Sequence, residues 1–428
     1  MAAVPATSAA FMSFGTPLIW LVAVLTTLGV LLRPLGRSEA FWAVAGALVL
    51  CASGLVALPV AWASVLRGLD VYLFLTGMML ISELARKTGL FDHVAARAVR
   101  GAHGSARRLF ALIYGFGTLV TVFMSNDATA VVLTPAVLAA MRAAQIRRPL
   151  PHLFACAFIA NAASFVLPIS NPANLVLFGS RMPPLADWLA RFALPSAVAI
   201  VATFLALWLT QRKALAERFD HDVPVPPLSP QGWLTAAGIV LTAVALMVAS
   251  FLGSDLGWPT CVAGVATLLV VCATRRGLLR PALAEISWGV LPMVAGLFVL
   301  VGALEQTGMI GALARELHAL SQQGSAAATG MAAVLVALAC NVVNNLPAGL
   351  LVSSALSASH ASATVTGAML VATDLGPNLS VTGSLATLLW LTALRREGLM
   401  VSAGQFLRVG LVAMPLALLP ALAALFVT

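Results

Sequence analysis

Met124-Ser125-Asn126-Asp127-Ala128 interrupts one apolar run of this chain, and Val343-Asn344-Asn345-Leu346-Pro347 interrupts another. Between Val120 and Ala140 the only ionisable side chain is Asp127. A charged side chain at the centre of a hydrocarbon layer costs about 2.5–3.5 kcal/mol even on insertion scales, so a chain that keeps one there is expected to use it. The two interrupted runs, 109–141 and 328–357, have second arms of only about 12–14 residues, short of the roughly 20 that a spanning helix needs. Short paired arms with a polar tip read as re-entrant hairpins, which are tolerated where protein or water satisfies the tip backbone. The plainer alternative is two tilted spans per region.

Working outward, the composition sets the class. Of 428 residues, 61% are hydrophobic and 9% charged, with a mean hydropathy of +1.00. Soluble domains carry about 25% charged residues, so this reads as an all-α polytopic membrane protein. A transmembrane barrel would show short alternating strands rather than long uncharged runs. The net charge of +9 does not imply a nucleic-acid partner, because the basic residues sit in short loops between apolar runs. Cys51, Cys156, Cys261, Cys272 and Cys340 lie in or beside those runs without CxxC spacing; they read as small apolar residues rather than disulfides or metal ligands. No basic residue precedes Pro17, so no cleaved signal peptide is expected. No HExxH or GxSxG motif occurs, so neither an enzyme nor a cofactor is expected.

Ten runs read as spans: 17–32, 40–60, 70–85, 152–178, 190–210, 233–252, 258–273, 288–304, 362–391 and 405–427. An internal repeat organises them. Gly77 to Phe91 (GMMLISELARKTGLF) matches Gly296 to Ile310 (GLFVLVGALEQTGMI), pairing Gly77 with Gly296 and Thr88-Gly89 with Thr307-Gly308. The same offset carries Ser125-Asn126 onto Asn344-Asn345. Each repeat then has five transmembrane helices and one re-entrant hairpin. An odd number of spans makes the second half enter from the opposite side, which gives two inverted-topology repeats. The first repeat covers 1–210, the charged stretch 211–232 is a cytoplasmic linker, and the second repeat covers 233–428. Threading this topology puts all but four of the 24 Lys and Arg on one side, the exceptions being Arg67, Arg181, Arg191 and Arg315. The positive-inside rule makes the rich side cytoplasmic and places both termini outside. Segment 90–108, with His93 and His103, reads as a solvated cytoplasmic surface helix. Glu83 and Glu305 read as interfacial.

Four polar clusters fall at membrane depth. Two are the hairpin tips. The third is Asn161 through Asn174, where Pro168 and Pro172 must interrupt the helix because proline removes a donor and clashes with the preceding turn. The fourth is Thr373 through Asn378, continuing to Thr382-Gly383-Ser384. Hairpin tips facing discontinuous helices supply amides, hydroxyls and helix-end dipoles around one point. The expected substrate-binding residues are Ser125, Asn126, Asn171, Asn174, Asn344, Asn345, Thr382 and Ser384. Asp127 and Asp374 are the expected proton carriers, since an apolar setting disfavours the ionised carboxylate and lets it load and release a proton. Asp127 could also serve as a helix cap.

At these motifs the chain resembles the arsenical pump family, arsenite/antimonite efflux permeases of the ion transporter superfamily. Asn126 through Pro135 looks like the family's asparagine–aspartate hairpin with its leucine-threonine-proline, and Asn344-Asn345-Leu346-Pro347 like its paired asparagines. Asp374-Leu375-Gly376-Pro377-Asn378, running into Thr382 through Trp390, is the most specific match. The resemblance implies export of arsenite and antimonite, neutral trihydroxides, across the bacterial inner membrane by proton antiport. It also implies a possible soluble arsenite-stimulated ATPase partner, since no Walker motif occurs here. Relatives in the superfamily suggest the alternatives: a proton- or sodium-coupled carboxylate or anion carrier, or a sodium/proton antiporter.

Overall fold

The computed structural model describes residues 7–179, 182–219 and 223–428. Arg181, one of the four outer basic residues expected above, lies outside them. The first half runs α1 (Thr7–Leu32), α2 (Glu39–Ala52), α3 (Leu58–Arg67), α4 (Leu69–Lys87), α5 (Leu90–Gly101) and α6 (Ala106–Phe123). It continues through α7 (Asn126–Ala128), a π-helical turn (Thr129–Leu133), α8 (Thr134–Ala143), α9 (Leu150–Ala162), a 3-10 turn (Pro168–Ser170), α10 (Pro172–Phe178) and α11 (Leu185–Gln211). The order then recurs: α12 (Pro230–Phe251), α13 (Gly257–Thr274), α14 (Leu279–Ala284), α15 (Val290–Glu305), α16 (Met309–Gln323) and α17 (Ala326–Val343). After them come α18 (Asn345–Ser359), α19 (Ala363–Leu375), a 3-10 turn (Gly376–Leu379), α20 (Leu385–Arg396) and α21 (Ala403–Leu425). Among the described residues no strand occurs, only an isolated bridge between Ser105 and Arg218. Among the described residues seven helices are long and apolar enough to cross a membrane, or up to nine if each bent pair is one span.

The halves exchange contacts. α4 packs on α13 and α15 on α2; α3 packs on α15 and α14 on α4; α10 packs on α18 and α20 on the π-turn and α8; α11 packs on α21. This reciprocity is what a two-fold relation between the halves produces. The residues matched by the sequence repeat explain it. A Cβ on Gly77 would stand 2.2 Å from the Thr260 carbonyl oxygen, and one on Gly296 would stand 2.6 Å from that of Ala43. The matched glycines are therefore where each half crosses the other at backbone distance. Gly89 (φ 74°) and Gly308 (φ 82°) supply the left-handed residue that turns α4 into α5 and α15 into α16, the latter by 81°.

Several expectations on element bounds are corrected. The span expected at 40–60 ends at Ala52, where Ser53-Gly54 turns the chain (Gly54 φ 72°) and a separate helix starts at Leu58. Segment 90–108 is not one helix, since α5 ends at Gly101 and α6 starts at Ala106, and its Phe91, Ala95, Ala96 and Val99 are buried rather than solvated. The chain between α11 and α12 covers it: Pro226 O meets His93 Nδ1 at 2.7 Å, and Phe219 N donates to Gly104 O at 3.1 Å. The hairpin arms are longer than their apolar runs. α6 and α17 have 18 residues each, and α18 has 15. The first hairpin's second arm continues from Asn126 to Ala143. Polar residues such as Arg142 and Ser357 end the apolar pattern without ending the backbone hydrogen bonding that defines a helix.

Candidate functional site

The first tip is a true reversal. Ser125 is extended (φ 179°), and its side chain caps the new helix by accepting from Ala128 N at 3.2 Å. Beyond it the arms run antiparallel about residue 125: Thr121 Oγ1 and Thr129 Oγ1 are 2.8 Å apart, and one turn back Gly117 faces Thr129 and Leu133. Pro135 has no N–H to give, and the backbone before it relaxes into the π-turn, with Thr134 Oγ1 donating to Thr129 O at 3.1 Å. The second tip turns at Asn344, which has a positive φ of 75°. Its Oδ1 accepts from Leu346 N at 3.3 Å, and its Nδ2 donates to Thr382 O at 3.1 Å. Asn345 N donates to Gly383 O at 2.8 Å.

Both broken helices satisfy their freed carbonyls internally, as an apolar surrounding demands. In the first, Asn174 Nδ2 donates to the carbonyls of Ser164 (2.9 Å), Pro168 (3.3 Å) and Leu167 (3.4 Å). In the second this work falls to the facing hairpin. Asn341 Nδ2 donates to Gly376 O at 2.9 Å, while its Oδ1 accepts from Ser380 Oγ at 2.8 Å. Thr382 Oγ1 donates to Asn341 O at 2.8 Å, and Ser384 caps α20 by accepting from Thr387 N at 3.3 Å.

The tips and breaks converge. Asn171 caps α10, accepting from Ala173 N at 3.0 Å, and donates across the halves to Asp374 Oδ1 at 2.8 Å. Deeper, Asn161 Nδ2 donates to Asn378 Oδ1 at 3.0 Å, and Asn378 Nδ2 donates to Phe158 O at 3.2 Å. A central cavity of about 20 Å³ is lined by Asn126, Asp127, Asn171 and Asn345 with Pro172 and Leu346. The space is enough for one water-sized group. A second cavity of about 70 Å³ adjoins it, sharing Asp127 and Pro172, and reaches Glu83 and Glu285. A third, of about 790 Å³, lies near the opposite ends of α4 and α15, with Arg67, Glu305 and Ser354 in its wall.

Of the expected binding residues, Asn126, Asn171 and Asn345 meet at the central cavity, and Ser125 lines the adjoining one. Asn174, Asn344, Thr382 and Ser384 are engaged in holding the breaks and tips. Asp127 lines both cavities and makes no side-chain hydrogen bond or ion pair among the described residues, whereas Asp374 is fully buried against Asn171. Asn341 was missed by the sequence reading; its spacing one turn before Asn344 and Asn345 was the available signal. Buried side-chain atoms without a partner here are all acceptors: Asn126 Oδ1, Asn161 Oδ1, Asn174 Oδ1 and Asp374 Oδ2. No Lys or Arg lines the central cavity. Among the described residues no group of three His, Cys, Asp or Glu is placed to hold a metal ion.

Residues 20–376 match the family model described as citrate transporter. The chain is 30% identical over 412 residues to the arsenical pump membrane protein of Escherichia coli (strain K12), covering 91% of this chain and 93% of that one. It is also 30% identical over 409 residues to the protein of the same name from Yersinia enterocolitica, with the same coverage. An uncharacterized transporter of Mycobacterium tuberculosis is 25% identical over 360 residues, 80% of this chain and 82% of that one. Among solved structures, the Alcanivorax borkumensis YdaH transporter superposes with a TM-score of 0.52 at 15% identity, over 96% of this chain and 98% of that one, which establishes the shared fold. The chain is therefore a polytopic membrane transporter and belongs to the arsenical pump membrane protein family, within the wider group that the citrate transporter model describes.

Proposed function

We propose that this protein exports arsenite and antimonite as their neutral trihydroxides across the inner membrane, in exchange for protons. The observation that carries the reading is the polarity of the site. The unpartnered buried atom on the central cavity wall, Asn126 Oδ1, is an acceptor, neutral amides of Asn171 and Asn345 stand beside it, and no cation lines it. A neutral trihydroxide brings three O–H donors to such a site and needs no counter-charge. The E. coli and Yersinia relatives, named as arsenical pumps, point the same way.

Asn126, Asn171 and Asn345, with Ser125 at the edge, would hold the solute; Asn344, Thr382, Ser384 and Asn174 would hold the tips and breaks that carry them. Asp127 and Asp374 would carry the proton. The two halves would be inverted repeats joined by the linker, with the hairpins re-entrant. Both termini would be periplasmic. The orientation rests on the positive-inside rule; the threading beneath it is supported by ion pairs that join only loops of one expected side: Arg33 with Glu39, Arg86 and Lys87 with Glu285, and Arg142 with Glu397 on the basic side, against Arg67 with Glu305 on the other. A soluble ATPase partner remains a proposal from the family resemblance alone.

The match to the citrate transporter model favours a second reading, a tricarboxylate carrier. The Asp127 carboxyl and the lack of any cation on the central cavity wall oppose it, because an unpaired buried charge is costly. The test is uptake of radiolabelled or mass-detected antimonite into everted vesicles energised by a pH gradient. Uptake inhibited by arsenite and indifferent to citrate supports the export reading; citrate uptake or competition would replace it.

A further inference from the structure

The two candidate proton carriers differ in access. Asp374 lies in neither cavity wall. Asp127 lines both, and the larger of the two leads to a charged cluster at the C-terminal ends of α4 and α14, on the side expected to be cytoplasmic. Its polar wall consists of Ser82, Glu83, Ser125, Asp127, Glu285 and Ser287. At about 70 Å³ it accommodates a short water chain, given roughly 10–15 Å³ of such volume per water. Glu83 is buried at its far end, where Arg86 Nε donates to Glu83 Oε2 at 3.0 Å and Arg86 Nη2 to Oε1. Arg86 also pairs with Glu285, and Lys87 pairs with the other oxygen of Glu285. Burial pushes the carboxyl of Asp92, in the first turn of α5, above its ordinary value, and the Arg86 charge offsets part of that rise.

We propose that Glu83 is the cytoplasmic proton outlet of Asp127, a residue for proton release rather than an interfacial anchor. The inference rests on the antiport reading above. In the release step the O–H bond of protonated Asp127 breaks, and the proton passes through cavity water to a Glu83 oxygen, leaving Asp127 ionised. Glu83 then gives the proton to cytoplasmic water. Arg86 is built for this exchange because it holds two carboxylates: when Glu83 becomes neutral, the guanidinium keeps Glu285. Lys87 first, then Arg86, hold the exposed Glu285 carboxyl below its ordinary value, so Glu285 stays ionised as that second partner.

The repeat sharpens the assignment. The offset that pairs Gly77 with Gly296 carries Arg86 onto Glu305, which pairs with Arg67 at 3.0 Å on the other side. The outer pair thus has its charges exchanged relative to Arg86 and Glu285. Glu305 is also held by Ser354 at 2.7 Å, and its cavity does not include Asp127. The inner cluster, unlike the outer pair, shares a cavity with a membrane-depth carboxylate.

The experiment compares wild type, Glu83→Gln and Glu83→Asp in proteoliposomes, with antimonite as probe and two readouts. One is antimonite accumulation driven by a pH gradient. The other is equilibrium exchange of antimonite at equal pH and equal concentration, which needs no net proton release. The proposal expects Glu83→Gln to lose accumulation at least tenfold while keeping exchange, with Glu83→Asp restoring part of the accumulation. Retained accumulation in Glu83→Gln overturns it, as does parallel loss of exchange in folded protein of both variants. Absence of gradient-driven accumulation in wild type itself would instead remove the antiport reading on which the inference stands.

Discussion

Asn171 joins a helix cap in one half to a buried carboxyl in the other, and its two roles can be separated. Asn171→Ser keeps an oxygen for Ala173 N but removes the donor to Asp374 Oδ1. Orphaning a buried acceptor costs about 1–3 kcal/mol. Asn171→Ala also removes the cap, for about 0.5–2 kcal/mol more. Because melting shifts shrink with chain length, 428 residues give roughly 1–2 °C per kcal/mol. Asn171→Ser should therefore melt a few degrees below wild type in detergent, and Asn171→Ala further still. The control is Asp374→Leu, which deletes the acceptor. In that background Asn171→Ser should cost nothing beyond experimental error. Fluorescence-detected thermal melts of the four proteins close a double-mutant cycle, which isolates the pair because the residues touch. An Asn171→Ser cost that is the same in both backgrounds would refute the cross-half contact as the source of stability.

Three further outcomes are expected. Gly77→Val and Gly296→Val force α4 from α13 and α15 from α2 and should sharply lower the yield of folded protein, whereas Gly115→Ala, with open space at its Cβ, should be neutral or stabilising by about 0.5–1 kcal/mol; size-exclusion profiles from membranes distinguish them. Asn345→Ala should raise the apparent KM for antimonite with little change in melting, since its side chain faces the cavity unbonded, while Asn344→Ala should lower the melting temperature through its lost cap, about 0.5–2 kcal/mol, and its lost bond to Thr382 O. In a cysteine-free background Asp127→Cys should react with a small membrane-permeant thiol reagent and Asp374→Cys should not, as read by mass shift.

Much of this was legible in the residues. Asp127 alone among apolar neighbours, and the prolines at 168 and 172, located the tip and the break because membrane depth penalises polar and unpaired backbone groups strongly. The glycines of the repeat were legible as matches, but their reason was not: only the structure brings Gly77 against Thr260 and Gly296 against Ala43. Hydropathy could not place the turn at Ser53-Gly54 or the start of α3, since the chain stays apolar through a change of direction there. Nor could it tell binding amides from structural ones. Asn171 and Asn174 look alike in sequence, yet one crosses between halves and the other folds back on its own carbonyls. The role of Glu83 was hidden for the same reason, because an interfacial position in sequence says nothing about which cavity the side chain enters.

The central claim is proton-driven movement of a neutral trihydroxide, and the most direct measurement is antimonite accumulation in proteoliposomes under an imposed pH gradient, with and without a protonophore. The account predicts accumulation above the equilibrium level that collapses with the protonophore and is absent in Asp127→Asn. Accumulation that is indifferent to the protonophore, or an Asp127→Asn protein that accumulates as wild type does, would contradict it.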